Sequence, residues 1–402
     1  MATDIKRGPL HGVRVLDLTN VLAGPFACHQ LAHLGAEVIK VEAVGRGDLA
    51  RNLGADPDLS AKGMGISFLA QNAGKKSLTL NLKADAGKEV LKRLVQAADV
   101  LVENFRPGVM DRLDLGHKIL RKENPKLIYC AISGFGQDGP WAKRPAYDQI
   151  IQGASGVMAA TGDANTGPLR VGYPIADTVG GLTAAMAISA ALNAKDRGCY
   201  IDVSMLDSML ATMGWVVSNY LIGGVAPTPN GNENPTSAPS GAFQCEDGLI
   251  NIAANKDEQW VLLANHLART DLLTNALFET REDRKRNRLR LKAELETVLT
   301  QRPARTWAKE LNAIGVPAGA VLTVSETLAH QQITDRGFLA SFSDPQGVGR
   351  GITLARIGAM IDGERPAVAT PPPVLGQDTD HILTNLGYGK DDIAQMRQEG
   401  TI

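Results

Sequence analysis

The chain has 402 residues, a formal charge of −1 and 44% apolar residues, which is length enough for two domains with separate cores. The near-neutral balance excludes the broad basic surface of a nucleic-acid binder and the acidic excess of a solvated tail, so a charged ligand must be met by local groups. Cys28, Cys130, Cys199 and Cys245 lie too far apart for a zinc or redox motif and read as reduced structural thiols, which suits the cytoplasm.

The N-terminal MATDIKRGPL lacks the apolar run of a leader, and no run of about 18 uninterrupted apolar residues is there to cross a bilayer, so no membrane partner is expected. GVRVLDL (12–18) reads as a strand and AEVIKVE (36–42) as a second one. Between them GPFACHQLAHLG (24–35) reads as a helix, with proline in its first turn and glycine at its end. The alternation continues with a helix over 86–98 and strands over 99–105 and 126–133, the signature of a parallel sheet covered by helices. The fold class is therefore α/β, with a Rossmann-like open sheet.

A helix of small residues (178–194) follows, then a strand (199–205) and one apolar helix (206–223). Residues 223–241, rich in Gly, Pro, Asn and Ser, read as a linker. Next, 242–254 reads as a hairpin turning at Asp247-Gly248, followed by helical patterns and a strand over 316–324, which together make a smaller α+β domain. The tail 371–400 is helical again and is expected to pack back on the first domain. The expected divisions are 1–222 (large domain), 223–241 (linker), 242–325 (small domain) and 326–402 (return segment and C-terminal part of the large domain).

The first strand–helix turn, DLTNVLAGP, has one glycine where a dinucleotide fingerprint needs a G-x-G-x-x-G run, which argues against a nicotinamide enzyme. His29 and His33 could face one way as metal ligands would, but no third ligand is visible and they read as packing or surface residues. The basic run REDRKRNRLRLK (281–292) interleaves acid and reads as a solvated helix face. DVLVENFRPGVMDRL (99–113) ends a parallel strand where ligands of open sheets bind, and its Asn104, Phe105, Arg106 and Arg112 could stack on a purine and hold phosphates. Asp177, in YPIADTVGG, stands at the start of the small-residue helix.

Several blocks in order, among them LHGVRVLDLTNVLAGP, GAEVIKVE, NAGKKSLTLNLK, DVLVENFRPGVMDRL, SGFGQDGP, RPAYDQIIQGASGVMAATG, YPIADTVGG and PPPVLGQDT, resemble the class III coenzyme A transferases, the formyl-CoA and carnitine-CoA transferase group. The resemblance implies a large domain made from both chain ends, a smaller domain, and an interlocked homodimer. It places the nucleophile on Asp177, which would form a mixed anhydride and then an aspartyl-CoA thioester. No permanent cofactor and no metal are implied, and coenzyme A enters as substrate. A carboxylate at a helix start meets free N–H groups and the positive end of the dipole, so Asp177 is expected to be charged at pH 7. Gly180 and Gly181 are expected to make room for the acyl-CoA. An ordinary N-cap aspartate is the structural alternative.

By the same resemblance Tyr147 and Asp148 line the site, and Val21, Ala23, Leu80, Asn104, Phe105 and Arg112 contact CoA. Related racemases of 2-methylacyl-CoA carry a histidine where this chain has Tyr147. A phenol, ordinarily protonated up to about pH 10, is a poor partner for α-proton transfer. The formyl-CoA enzymes have glutamine at the position of Leu22 and a basic residue at that of Ala43, and AANKDEQW (253–260) replaces their glycine loop, which implies a different acid. Arg170, seven residues before Asp177, could fork onto a distal carboxylate or form a structural salt bridge. The implied activity is acyl-CoA:carboxylate CoA transfer with succinyl-CoA and a small dicarboxylate such as glutarate, itaconate or mesaconate. The alternatives are a racemase and a CoA-thioester-binding protein without turnover.

Overall fold

The computed structural model describes residues 8–402, so most of the N-terminal segment read for a leader lies outside the described residues. The chain divides into two units. The first takes residues up to 157, 170–225 and 331–402; the second takes 158–169 and 226–330. The division differs from the expected one in three places, the simplest being the return to the first unit at 331 and not 326. Residues 158–169 join the second unit because Gly231 N donates to Gly162 O at 2.6 Å and a Cβ at Gly167 would meet the Pro229 ring. Most of the expected linker joins it as well.

In the first unit, strands β1 (Arg14–Asp17), β2 (Glu37–Glu42), β3 (Lys75–Thr79), β4 (Val100–Glu103), β5 (Ile128–Ser133) and β6 (Cys199–Ser204) form one parallel sheet in the order β3-β2-β1-β4-β5-β6. The order reverses between β1 and β4, and in open α/β sheets ligands bind in the crevice that this reversal leaves at the strand C-termini. Helices α1 (Ala23–His33), α2 (Asp85–Gln96), α3 (Asp148–Ala154), α4 (Ile175–Leu192) and α5 (Met205–Thr212) carry the argument below. Alternate strand residues face two cores. Val15, Val100 and Cys130 pack with α1, α4 and α5, whereas Leu16, Leu101 and Tyr129 pack with α2 and the chain end.

The tail does return to this sheet. Ile382, Leu383, Ile393 and Ile402 enter the second core, Asp378 exchanges backbone and side-chain bonds with Ser77, and Asn81 N donates to Thr401 O at 2.8 Å. The edge strand β3 is thereby covered, which keeps its unpaired backbone groups from recruiting another chain. Helix α4, with 18 residues and a mean hydropathy of 1.5, is long and apolar enough by length and composition to cross a bilayer. Its small buried residues, Ala176, Gly180, Gly181, Ala184 and Ala185, instead let α1 and α5 pack closely on it. The single helix expected over 206–223 is two, Met205–Thr212 and Gly214–Gly223, parted at Met213 where Gly214 turns the chain with a φ of +24°.

In the second unit, Ser240–Gln244, Leu249–Ala253 and Ala318–Ala320 form an antiparallel sheet, the first two joined through the Asp247-Gly248 turn by Cys245 N donating to Gly248 O at 2.7 Å. The strand expected over 316–324 is cut short because Thr323 caps a helix over Val324–Ala329. The basic run forms two helices split at Asn287, and its reading as a wholly solvated face fails at Arg284. That guanidinium is buried, pairs with Asp257 and donates to the carbonyls of Ala238, Phe278 and Glu279. In the first unit an antiparallel pair, Leu339–Phe342 with Ile352–Ala355, was not foreseen.

Candidate active site

The site begins in a buried charge network under the β1–α1 loop. Asp17, Glu42 and Asp48 face Lys40, Lys75 and Arg51, all with almost no exposed surface. Lys75 Nζ reaches Asp17 Oδ2 at 2.8 Å and Pro25 O at 2.9 Å. Lys40 Nζ reaches Asp48 Oδ2 at 2.9 Å and Thr19 O at 2.7 Å. Arg51 forks onto Glu42 with both bonds at 2.7 Å. Burial pushes the Asp17 carboxyl up, but Lys40 and Lys75 outweigh it and hold the group at about 2.

The loop above this network is strained. Val21 has φ +68°, a conformation that costs a β-branched residue more than most, and its N–H is pinned on Asp48 Oδ1 at 2.9 Å. Asn104 clamps the same loop from β4, its amide exchanging bonds of 2.8 Å with Asn20 N and Asn20 O. It thus holds the two sides of the switch point together instead of standing free for a ligand.

Beside that clamp, a cleft of about 450 Å³ opens at the C-terminal ends of β1 to β4. Leu80 and Phe105 line it, with Thr19, Asn20, Arg46 and Lys83. Of the residues expected to contact CoA, only Leu80 and Phe105 belong to this lining. Ala23 is buried in the core and Val21 is held on Asp48, while Arg106 and Arg112 are exposed outside it. The cleft's cations are Arg46 and Lys83, exposed residues that sequence reasoning missed. A signal existed: each is the first basic residue after a strand, β2 or β3, ending at the crevice.

Asp177 lies in the first turn of α4, whose N-cap residue Pro174 supplies no side-chain cap. The free amides go to Asp148, the first residue of α3. Its Oδ1 accepts Ala176 N at 2.8 Å and Asp177 N at 3.3 Å, so Asp148 and not Asp177 caps the helix. No donor among the described residues reaches the Asp177 carboxylate oxygens. Burial, and then the charge of Asp148, push its pKa up to about 7. This corrects the expectation that the helix start keeps Asp177 fully charged at pH 7. The dipole and amides favour Asp148, and the second carboxylate is left desolvated beside it.

Gly180 and Gly181 also act differently from the expectation. Both are buried, a Cβ on Gly181 would stand 2.5 Å from Ala23 O, and one on Gly180 would stand 3.0 Å from Met205 Cγ. They admit α1 and α5, not a ligand. Asp177 is one turn before Gly181 on the same face of α4, the helix that meets α1 at Ala23. Gly181→Ala is expected to lower stability in urea unfolding by about 1–3 kcal/mol through overpacking on a carbonyl. Gly180→Ala, which meets only a flexible methionine, is expected to cost less.

Tyr147 precedes α3 and is 70% exposed. Arg170 is exposed, and no carboxylate among the described residues pairs with it. His29 and His33 are buried edge-to-face with ring centres 4.5 Å apart. Burial depresses both, His33 to about 4, and no cluster of three or more candidate metal ligands occurs among the described residues.

An α/β chain with a nucleotide-sized cleft at the sheet switch point and a half-buried carboxylate with a raised pKa at a helix start is the class these features define. Residues 10–379 match CoA-transferase family III. The chain is 41% identical to the acetyl-CoA:oxalate CoA-transferase of Acetobacter aceti, over 98% of its own length and 96% of that protein's. It is 34% identical to the succinyl-CoA:glutarate CoA-transferase of Homo sapiens, over 98% and 90%. A CAIB/BAIF family protein from Brucella suis superposes with a TM-score of 0.83 at 35% identity, covering 95% of this chain and 100% of that one. This chain belongs to CoA-transferase family III and is a CoA-transferase.

Proposed function

We propose that the protein transfers coenzyme A from a donor acyl-CoA to a small dicarboxylic acid through Asp177. The Asp177 carboxylate attacks the thioester carbonyl and expels the CoA thiolate, leaving an acyl-aspartyl anhydride. The thiolate then attacks the aspartyl carbonyl, releasing the donor acid and forming an aspartyl-CoA thioester. The acceptor carboxylate attacks that thioester and frees the thiolate again. Finally the thiolate takes the acceptor acyl group and Asp177 is regenerated. Each nucleophile is an anion, so the sequence needs no separate base.

The observation that carries this reading is the Asp177 carboxylate, which meets no hydrogen-bond donor among the described residues and stands beside the Asp148 carboxylate. Its lone pairs are unencumbered, and acylation removes the charge that Asp148 repels. The cleft lined by Arg46, Lys83 and Phe105 suits the nucleotide end of CoA. Arg170 is free to fork onto the far carboxylate of a dicarboxylic acid. Relatives are named for acetyl-CoA with oxalate as well as succinyl-CoA with glutarate, so both donors belong in the test.

Incubation with succinyl-CoA or acetyl-CoA and a panel of oxalate, glutarate, itaconate and mesaconate should yield new acyl-CoA products, and hydroxylamine should trap a hydroxamate at Asp177. Exchange of an α-proton with deuterated solvent would indicate the racemase instead, and neither activity would leave a binding protein. With a nucleophile titrating at about 7, kcat/KM is expected to rise about tenfold per pH unit below that value and level off above it. A flat profile from about pH 5 to 8 would refute that role for Asp177.

A cytoplasmic homodimer completes the proposal. Trp215 and Ile222, 82% and 87% exposed on one short helix, suit burial against a second copy, and sedimentation as a monomer would remove that part.

A further inference from the structure

Gln152, in the last turn of α3, has no exposed surface, and both polar atoms of its amide are engaged. Nε2 donates to Asp148 Oδ2 at 2.7 Å and to Tyr173 O at 3.3 Å, and Oε1 accepts Val171 N at 2.9 Å. A methionine would fill the same space without these partners, so packing alone does not call for an amide. The bonds converge on two supports of one residue. Asp148 holds the first amides of α4, and the Val171–Tyr173 stretch delivers the chain into that helix through Pro174. Gln152 is the only side chain among the described residues that donates to Asp148 Oδ2. Without it the carboxylate can turn about its Cβ–Cγ bond and release Ala176 N and Asp177 N.

We propose that Gln152 is a positioning residue for the nucleophile: by tying Asp148 to the Val171–Tyr173 stretch it fixes where the Asp177 carboxylate stands against the thioester carbonyl. The inference rests on the reading of Asp177 as acyl acceptor. Reacting atoms must be held about 3–3.5 Å apart, and a misplacement of about 1 Å can cost about 10²-fold in rate.

Gln152→Met keeps the side-chain length and removes every bond. Gln152→Asn keeps an amide too short to span Asp148 and Val171 together, and it guards against a methionine variant that does not fold. The methionine variant is expected to lose about 10²-fold in kcat and the asparagine variant less, with KM for acyl-CoA within about twofold of wild type. Amide hydrogen exchange should accelerate in peptides covering 170–178 and stay unchanged in the sheet strands. In an Asp148→Asn background the cost of Gln152→Met should shrink several-fold, because Gln152 acts through Asp148. Wild-type kcat with wild-type exchange at 170–178 overturns the inference, as does faster exchange spread evenly over the sheet. A wild-type protein that transfers CoA to no acid of the panel refutes the functional reading instead, and the exchange measurement then decides the positioning role by itself.

Discussion

Replacing Asp177 with alanine is expected to lower CoA transfer by about 10⁴-fold or more, since a covalent route loses its only nucleophile. The affinity for free CoA should change by less than about threefold, because the lining of the cleft, including Thr19, Leu80, Phe105, Arg46 and Lys83, does not include Asp177. Steady-state kinetics and titration calorimetry with CoA check the two halves separately. Turnover above about 1% of wild type would sink the assignment of the nucleophile. Stability should move the other way. The folded-state pKa of Asp177, about 7, lies above that of an unfolded aspartate, so the folded chain binds the extra proton and this group withdraws stability as pH rises toward 7. Asp177→Asn removes that penalty, so the variant should resist urea better than wild type at pH 8 and gain little at pH 4. Sites arranged for reaction commonly carry such a cost.

Lys75→Met is expected to lower unfolding stability at pH 7 by about 3–5 kcal/mol, the usual consequence of leaving a buried charge without its partner. Lys75 gives Asp17 its closest cation, at 2.8 Å, while Lys40 stands 3.9 Å away and is occupied by Asp48. The pH dependence follows from Asp17, held at about 2 against about 3.9 in an unfolded chain. Its contribution is fully present above the unfolded value and is lost as pH falls toward 2. The difference between wild type and variant in urea melts should therefore be largest near neutrality and narrow below pH 4. An unchanged midpoint at pH 7 would show that the network is not what holds the β1–α1 loop. The network holds Thr19 O and Val21 N of the loop and Pro25 O in the first turn of α1. A softened Lys75→Met protein should also bind CoA less tightly.

The strand–helix alternation of the first unit was legible because β1, β4 and β5 carry apolar runs, the mark of strands buried on both faces, and β2, EVIKVE, sets three β-branched residues around its one lysine. β3 was not, since KKSLT opens with two lysines and shows no such run. Lys75 is tolerated inside only because Asp17, 58 residues earlier, neutralises it. Arg284 misled the reading of the basic run for the same reason, its partner Asp257 being on another helix. The Asp247-Gly248 turn and the break at Gly214 differ in kind. A two-residue turn is written in adjacent residues, whereas one glycine within an apolar stretch does not announce a helix end.

That a helix of small residues opens around Asp177 is a property of the chain taken locally, and the amino-acid sequence determined it, since helix signals act between near neighbours, whereas the order of the strands is set by pairing between distant segments. What Asp177 can do was decided only by the tertiary structure. Asp148, 29 residues away, takes the helix amides, burial strips water from Asp177, and their joint effect raises its pKa to about 7, opposite in direction to what the helix start alone implies. The glycines beside Asp177 were assigned to helix packing in the same way, Gly181 by a carbonyl of Ala23 and Gly180 by the Met205 side chain, which no local pattern places there. Desolvation and charge–charge repulsion depend on distance in space, and a sequence specifies that distance only once the chain has folded.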